Sequence, residues 1–225
     1  MAAAAQEAGV PVVTGDTKVV QRGKADGMYV TTTGIGLVRH GVALAPELVQ
    51  PGDKVLVSGT VGDHGVAIML ARGELELGAD IRSDTASLWP LAETLLETCG
   101  EDLHCMRDAT RGGVATVLNE IALTSQLGVT IIEDRVPMRP EVMGACEILG
   151  IDPLYVANEG KLVAFVAPQQ ADEALAALRE HPIGVAAAII GDVDSEPAGR
   201  VLGRTRFGGH RMIDMLVGDP LPRIC

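Results

Sequence analysis

The strongest constraint on the fold is an alternation that begins at Pro51-Gly52-Asp53, a turn signal followed at once by a short apolar strand, Lys54 to Ser58. Gly59-Thr60-Val61-Gly62-Asp63 then leads into a helical pattern that runs through Ala71. Further helices fit Ser87 to Thr98, Gly112 to Ser125, Pro140 to Leu149 and Ala171 to Glu180, and strands fit Val129 to Glu133, Lys161 to Val166 and Ala186 to Val193. Interleaved helices and strands predict an α/β, α+β layered domain.

Before residue 51 the pattern differs. Residues 2 to 8 read as the end of a helix closed by Gly9, Val10 to Val13 as a strand, and Met28 to Val38 as a β-branched strand broken by two glycines. These residues, 1 to 50, read as a partial first domain and 51 to 208 as the main one. After Phe207-Gly208-Gly209 the regular pattern fades, and Pro220 and Pro222 keep residues 209 to 225 extended, as an arm ending in Cys225.

Composition removes several functions. A net charge of −12 repels polyanions, and with an aromatic content of 2% base stacking has almost nothing to work with, so nucleic acid is disfavoured as a partner. The longest apolar run near the end, Val185 to Ile190, is far too short to span a bilayer. The opening residues carry neither a basic leader nor an apolar segment, which points to the cytoplasm. The cysteines have no C-x-x-C spacing, so Cys99, Cys105 and Cys146 read as small buried hydrophobes. The five histidines have no partner at metal-ligand spacing.

Four stretches carry candidate chemistry. Thr14-Gly15-Asp16-Thr17-Lys18 follows a strand-like run and suits a metal phosphate: Asp16 for Mg²⁺, Gly15 for close approach, Lys18 for charge or proton transfer. An ordinary polar turn has the same composition. Arg107-Asp108-Ala109-Thr110-Arg111-Gly112-Gly113 precedes a helix, and helix amides with adjacent arginines favour phosphate while Asp108 holds a cation; a simple cap is the alternative. Asn158-Glu159-Gly160-Lys161 stands just before a buried-looking strand, where Glu159 can project into a crevice as a base or lie in an exposed turn. Asp63 caps the following helix or ligates a cation. The terminal thiol of Cys225 feels its own carboxylate and Arg223 in opposite senses, so its use lies in reach.

Thr14-Gly15-Asp16-Thr17-Lys18-Val19-Val20, the Arg107 to Gly113 segment, Ala157-Asn158-Glu159-Gly160-Lys161 and the final Pro222-Arg223-Ile224-Cys225 together resemble the HypE family of hydrogenase maturation proteins, over its carboxyl-terminal two-thirds. That family is similar to aminoimidazole ribonucleotide synthetase and selenophosphate synthetase. The resemblance implies a C-terminal α/β domain of that kind behind a truncated ATP-binding and dimerisation domain. It implies ATP-dependent dehydration of an S-carbamoylated Cys225 to a thiocyanate, with the carbamoyl group supplied by HypF and the cyanide passed to the HypC-HypD scaffold for the iron of nickel-iron hydrogenase.

By the same resemblance, ATP and Mg²⁺ are held by Asp16, Thr17, Asp108, Thr110 and the Gly112-Gly113 turn, with Asp16 and Asp108 nearest the metal, and Lys18 and Glu159 face the inserted cysteine. The family's further amino-terminal stretch, with its glycine-rich loop and dimer strands, has no counterpart here. A homodimer is expected where that stretch is present. The alternative is a cysteine-tailed acceptor that HypF loads and that does no catalysis; a nucleotide-binding relative acting on a free small substrate is a third reading.

Overall fold

The computed structural model describes residues 1–25, 27–73 and 80–216, and the chain divides into two units, Met1–Val42 and Ala43–Cys225. In the first unit, α1 (Ala2–Glu7) ends as expected. Gly9 takes a φ of +65°, its amide donates to the Gln6 carbonyl and that of Val10 to Ala5, the paired bonds of a Schellman closure. The strands expected at Val10 to Val13 and Met28 to Val38 do not form among the described residues. Their β-branched composition is real, but β-propensity expresses packing against a neighbouring strand, and none pairs with them. No described residue of this unit is buried.

Among the described residues the second unit has seven strands: β1 (Lys54–Val57), β2 (Leu103–Asp108), β3 (Gly128–Ile132), β4 (Leu162–Val166), β5 (Ala188–Asp194), β6 (Val201–Arg204) and β7 (His210–Met212). They form one sheet in the order β2-β4-β1-β5-β3-β6-β7. All neighbours are antiparallel except β3 and β6. The helices are α2 (Asp63–Ala71), α3 (Trp89–Cys99), α4 (Gly113–Ser125), α5 (Pro140–Leu149) and α6 (Ala171–Glu180).

The middle of the sheet is covered on both faces, which is why β4 is apolar without interruption. Its Val163 and Phe165, with Val55 and Val57 of β1, pack on Val114, Leu118 and Ile121 of α4. The alternate side chains, Leu162, Ala164 and Val166 with Leu56, meet Leu91 and Leu95 of α3 and Leu178 of α6. A smaller core joins Val66 and Met69 of α2 to Val142 and Cys146 of α5.

Regular structure continues beyond Gly209, where the sequence pattern suggests that it fades. Gly208, at a φ of +81°, turns the chain back as β7 on β6, and Ile213 behind it is fully buried. Residues 217 to 225 of the expected arm, with Cys225, lie outside the described residues.

Candidate functional site

Antiparallel pairing brings the end of β2, the start of β4 and the end of β1 to one edge of the sheet. Asp108 stands opposite Leu162 and Val57 opposite Val163. The Ala109 amide donates to the Lys161 carbonyl, the Ser58 amide to the Leu162 carbonyl, and the Leu162 amide to Ser58 Oγ. Three connections therefore leave from one place: toward α2, toward α4 and out of the segment preceding β4.

Asn158, 0% exposed, ties them together. Its Oδ1 accepts the Gly62 amide at 2.8 Å, and its Nδ2 donates to the carbonyls of Ala109 at 2.8 Å and Val156 at 3.2 Å. A buried side-chain amide satisfied on both ends holds three loops in one register. In the sequence Asn158 is one residue of the Ala157 to Lys161 motif, and its residue type alone does not mark it for this part.

Gly112 and Gly113 form the entry to α4 at φ of +69° and +61°. A Cβ on Gly113 would lie 2.4 Å from the Leu154 carbonyl oxygen, and one on Gly112 2.1 Å from Thr116 Oγ1. That hydroxyl is a buried atom with no hydrogen-bond partner. A bare backbone with an unused hydroxyl at the start of a thirteen-residue helix suits an anion such as a phosphate. Asp108 is exposed at the strand end and Thr110 half-buried beside it, so this edge has groups fit for Mg²⁺ and phosphate oxygens. The Arg107 guanidinium pairs with Glu120 of α4 at 2.9 Å, and Arg111 is exposed.

On the other side of Asn158, Glu159 is partly exposed and its backbone amide donates to Asp84 Oδ1 at 3.0 Å. Lys161, a buried lysine, donates to Asp84 Oδ2 at 2.9 Å and to the Gly160 carbonyl. Asp63 does not cap α2: Gly62 is the cap residue, and the Asp63 carboxylate accepts from Thr60 Oγ1 and lies 3.4 Å from the Arg139 Nε. Burial raises the Asp63 pKa against the pull of Thr60, Arg139 and Lys161.

The sequence-derived residues thus fall into two sets. Asp108, Thr110, Gly112, Gly113 and Glu159 share one edge of the sheet. Asp16, Thr17 and Lys18 are exposed in the first unit, where Asp16 Oδ1 accepts the Thr17 amide at 2.8 Å. Cys225 lies outside the described residues. Among the described residues, no group of three His, Cys, Asp or Glu side chains is placed to hold a metal by itself, and no helix is long and apolar enough to cross a membrane. His104 is buried with its Nδ1 2.7 Å from Asp53 Oδ2.

The family model for the AIR synthase related protein, C-terminal domain, matches residues 50–204. A carbamoyl dehydratase HypE from Rhizobium leguminosarum bv. viciae is 53% identical over the whole chain, which spans 64% of that relative's length. A crystal structure of hydrogenase maturation protein HypE in complex with ATP superposes with a TM-score of 0.93 at 49% identity, covering 99% of this chain and 68% of that one. The structure of a HypE-HypF complex matches with a TM-score of 0.88 at 44% identity, covering 95% of this chain and 69% of the other.

Proposed function

The chain belongs to the HypE family of hydrogenase maturation proteins, and from that premise we propose that it dehydrates a carbamoyl group carried on the thiol of Cys225 to a thiocyanate, at the expense of ATP. The observation that carries this reading is the sheet edge organised by Asn158, where the bare Gly112-Gly113 entry to α4, exposed Asp108 and Glu159 converge. A solved relative holds ATP and another is in complex with HypF, and both likenesses support nucleotide use and loading by HypF.

In the proposed reaction the thiocarboxamide loses its oxygen and both nitrogen protons while the carbon–sulfur bond stays intact. ATP supplies the phosphoryl group that lets this oxygen depart as phosphate, with Mg²⁺ screening the charge. Asp108 is assigned to the cation, Thr110 and the Gly112-Gly113 turn to phosphate oxygens, and Asp16 and Thr17 to the nucleotide. Glu159 and Lys18 are assigned proton transfer and charge stabilisation at the carbamoyl group. The product then goes to the HypC-HypD scaffold, in the cytoplasm.

Chain length supports delivery of the thiol. The Tyr155 hydroxyl donates to the Asp214 carbonyl at 2.8 Å, and Glu159 lies four residues from Tyr155, within about 15 Å along the chain. The eleven residues from Met215 to Cys225 can span up to about 36 Å.

Intact-protein mass spectrometry after incubation with carbamoyl phosphate, HypF and ATP tests the assignment. Cys225→Ala is expected to take no carbamoyl group, and Lys18→Ala or Glu159→Ala to be loaded but not dehydrated. Dehydration at the parental rate in both latter variants would remove the roles given to those residues. A second reading is a loaded acceptor without catalysis; the chain spans 64% of the Rhizobium relative's length. An adduct in the parent chain that never loses water would select it.

A further inference from the structure

Asp84 lies in the polar stretch before α3, far in sequence from the site, and no motif in the chain marks it. Its side chain is 4% exposed and that of Lys161 9%. Oδ1 takes the backbone amide of Glu159 at 3.0 Å and Oδ2 the ammonium of Lys161 at 2.9 Å. The residue between them is held as well, because a Cβ on Gly160 would sit 1.8 Å from the Asp84 carbonyl oxygen. The Lys161 stem runs close to Gly59, whose own Cβ would come within 3.0 Å of Cε.

We propose that Asp84 is a positioning residue for Glu159: one buried carboxylate spans the Glu159-Gly160-Lys161 turn, grips it by a main-chain amide at one end and a charged side chain at the other, and so sets the direction in which the Glu159 carboxyl leaves the backbone. This rests on the role assigned to Glu159 above. Asp84 itself touches no reacting atom. Both oxygens of the carboxylate are engaged at ordinary hydrogen-bond distances, and the charge of Lys161 is balanced inside the protein, so the turn has little freedom to re-aim. Lys161, buried and paired, is a structural cation here and not a second proton donor.

The test uses the full chain with two readouts. In Asp84→Ala the Glu159 amide is expected to lose its hydrogen-exchange protection and its downfield proton shift. Nitrile formation at saturating ATP is expected to fall by about tenfold to a hundredfold with the KM for ATP unchanged, as a misaimed catalytic group does. The double variant Asp84→Asn with Lys161→Gln keeps an acceptor for the Glu159 amide and a neutral hydrogen bond to residue 161, and is expected to recover both readouts. Should Asp84→Ala fail to fold around an unpaired Lys161, Asp84→Ala with Lys161→Met removes the stranded charge and takes its place.

An unchanged Glu159 amide overturns the inference. So does an altered amide with nitrile formed at the parental rate and KM, and so does a double variant that restores the amide but not the rate, which would give the charges the leading part. If the parent chain forms no nitrile, the proposed reaction fails, and the amide readout alone then decides whether Asp84 holds the turn.

Discussion

Gly113 is the residue on which the α4 entry turns. Its φ of +61° is strained for any L side chain, and a methyl group there would meet the carbonyl oxygens of Leu154 and Val156 at 2.4 and 2.6 Å. Gly113→Ala is expected to cost about 3 kcal/mol in urea unfolding. Gly144, inside α5 with open space around its Cα and no positive φ, is its counterpart: Gly144→Ala is expected to gain about 0.5 to 1 kcal/mol from helix propensity. Similar effects from the two substitutions would contradict the conformational argument.

The buried thiols of Cys99, Cys105 and Cys146 have pKa values pushed up to about 11 by desolvation, from an ordinary value of 9.0. Nearby acids add to the rise at Cys99 and Cys146, whereas Arg107 opposes it at Cys105. Because the folded values exceed the unfolded one, the stability these neutral thiols contribute is full below about pH 9 and is lost as pH rises toward about 11. Denaturation midpoints measured across that window should fall, and a flat alkaline limb would contradict their burial as neutral groups.

At the scale of elements, β7 is the piece that holds the end of the described chain. Arg211 pairs with both Glu133 and Asp152, Asn119 Nδ2 donates to the Ile213 carbonyl at 3.0 Å, and Tyr155 holds Asp214. Arg211 is exposed, so Arg211→Ala is expected to cost only about 1 kcal/mol. It should also speed amide exchange across residues 210–213 while leaving β4 protected. Unaltered exchange in β7 would mean that the strand pairing alone holds it.

The elements also show what a sequence makes legible. β4 was readable because burial on both faces demands an unbroken apolar run, and α5 and α6 because their periodicity and starting residues agree. β2 escaped because it carries His104, Arg107 and Asp108 toward an exposed end, β6 because Gly203 breaks its pattern, and β7 because all three of its residues are exposed. Val10 to Val13 and Met28 to Val38 erred the other way, having the composition of strands without a partner. The same division holds at the site. Asp108, Gly112, Gly113 and Glu159 sit in compact motifs, whereas Asp84 meets Glu159 across 75 residues of chain, and only the fold brings them together.

For the whole molecule, the asymmetry between the two units is the main fact. Among the described residues every buried core residue belongs to the second unit, and the first has large apolar side chains such as Val13, Ile35 and Leu37 more than four-fifths exposed. Cooperative unfolding should therefore reside in the second unit. A chain beginning at Ala43 is expected to melt within a few degrees of the full one, and limited proteolysis to cut first between residues 9 and 42. A large drop in melting temperature would show that the first unit contributes to the fold after all.

The central claim, that Cys225 is both carrier and site of dehydration, is tested most directly by infrared spectroscopy of the full chain loaded by HypF from isotope-labelled carbamoyl phosphate. The account predicts a protein-bound nitrile band that appears only with ATP, shifts with the label and is absent in Cys225→Ala. A loaded chain that shows no such band with ATP present would contradict it.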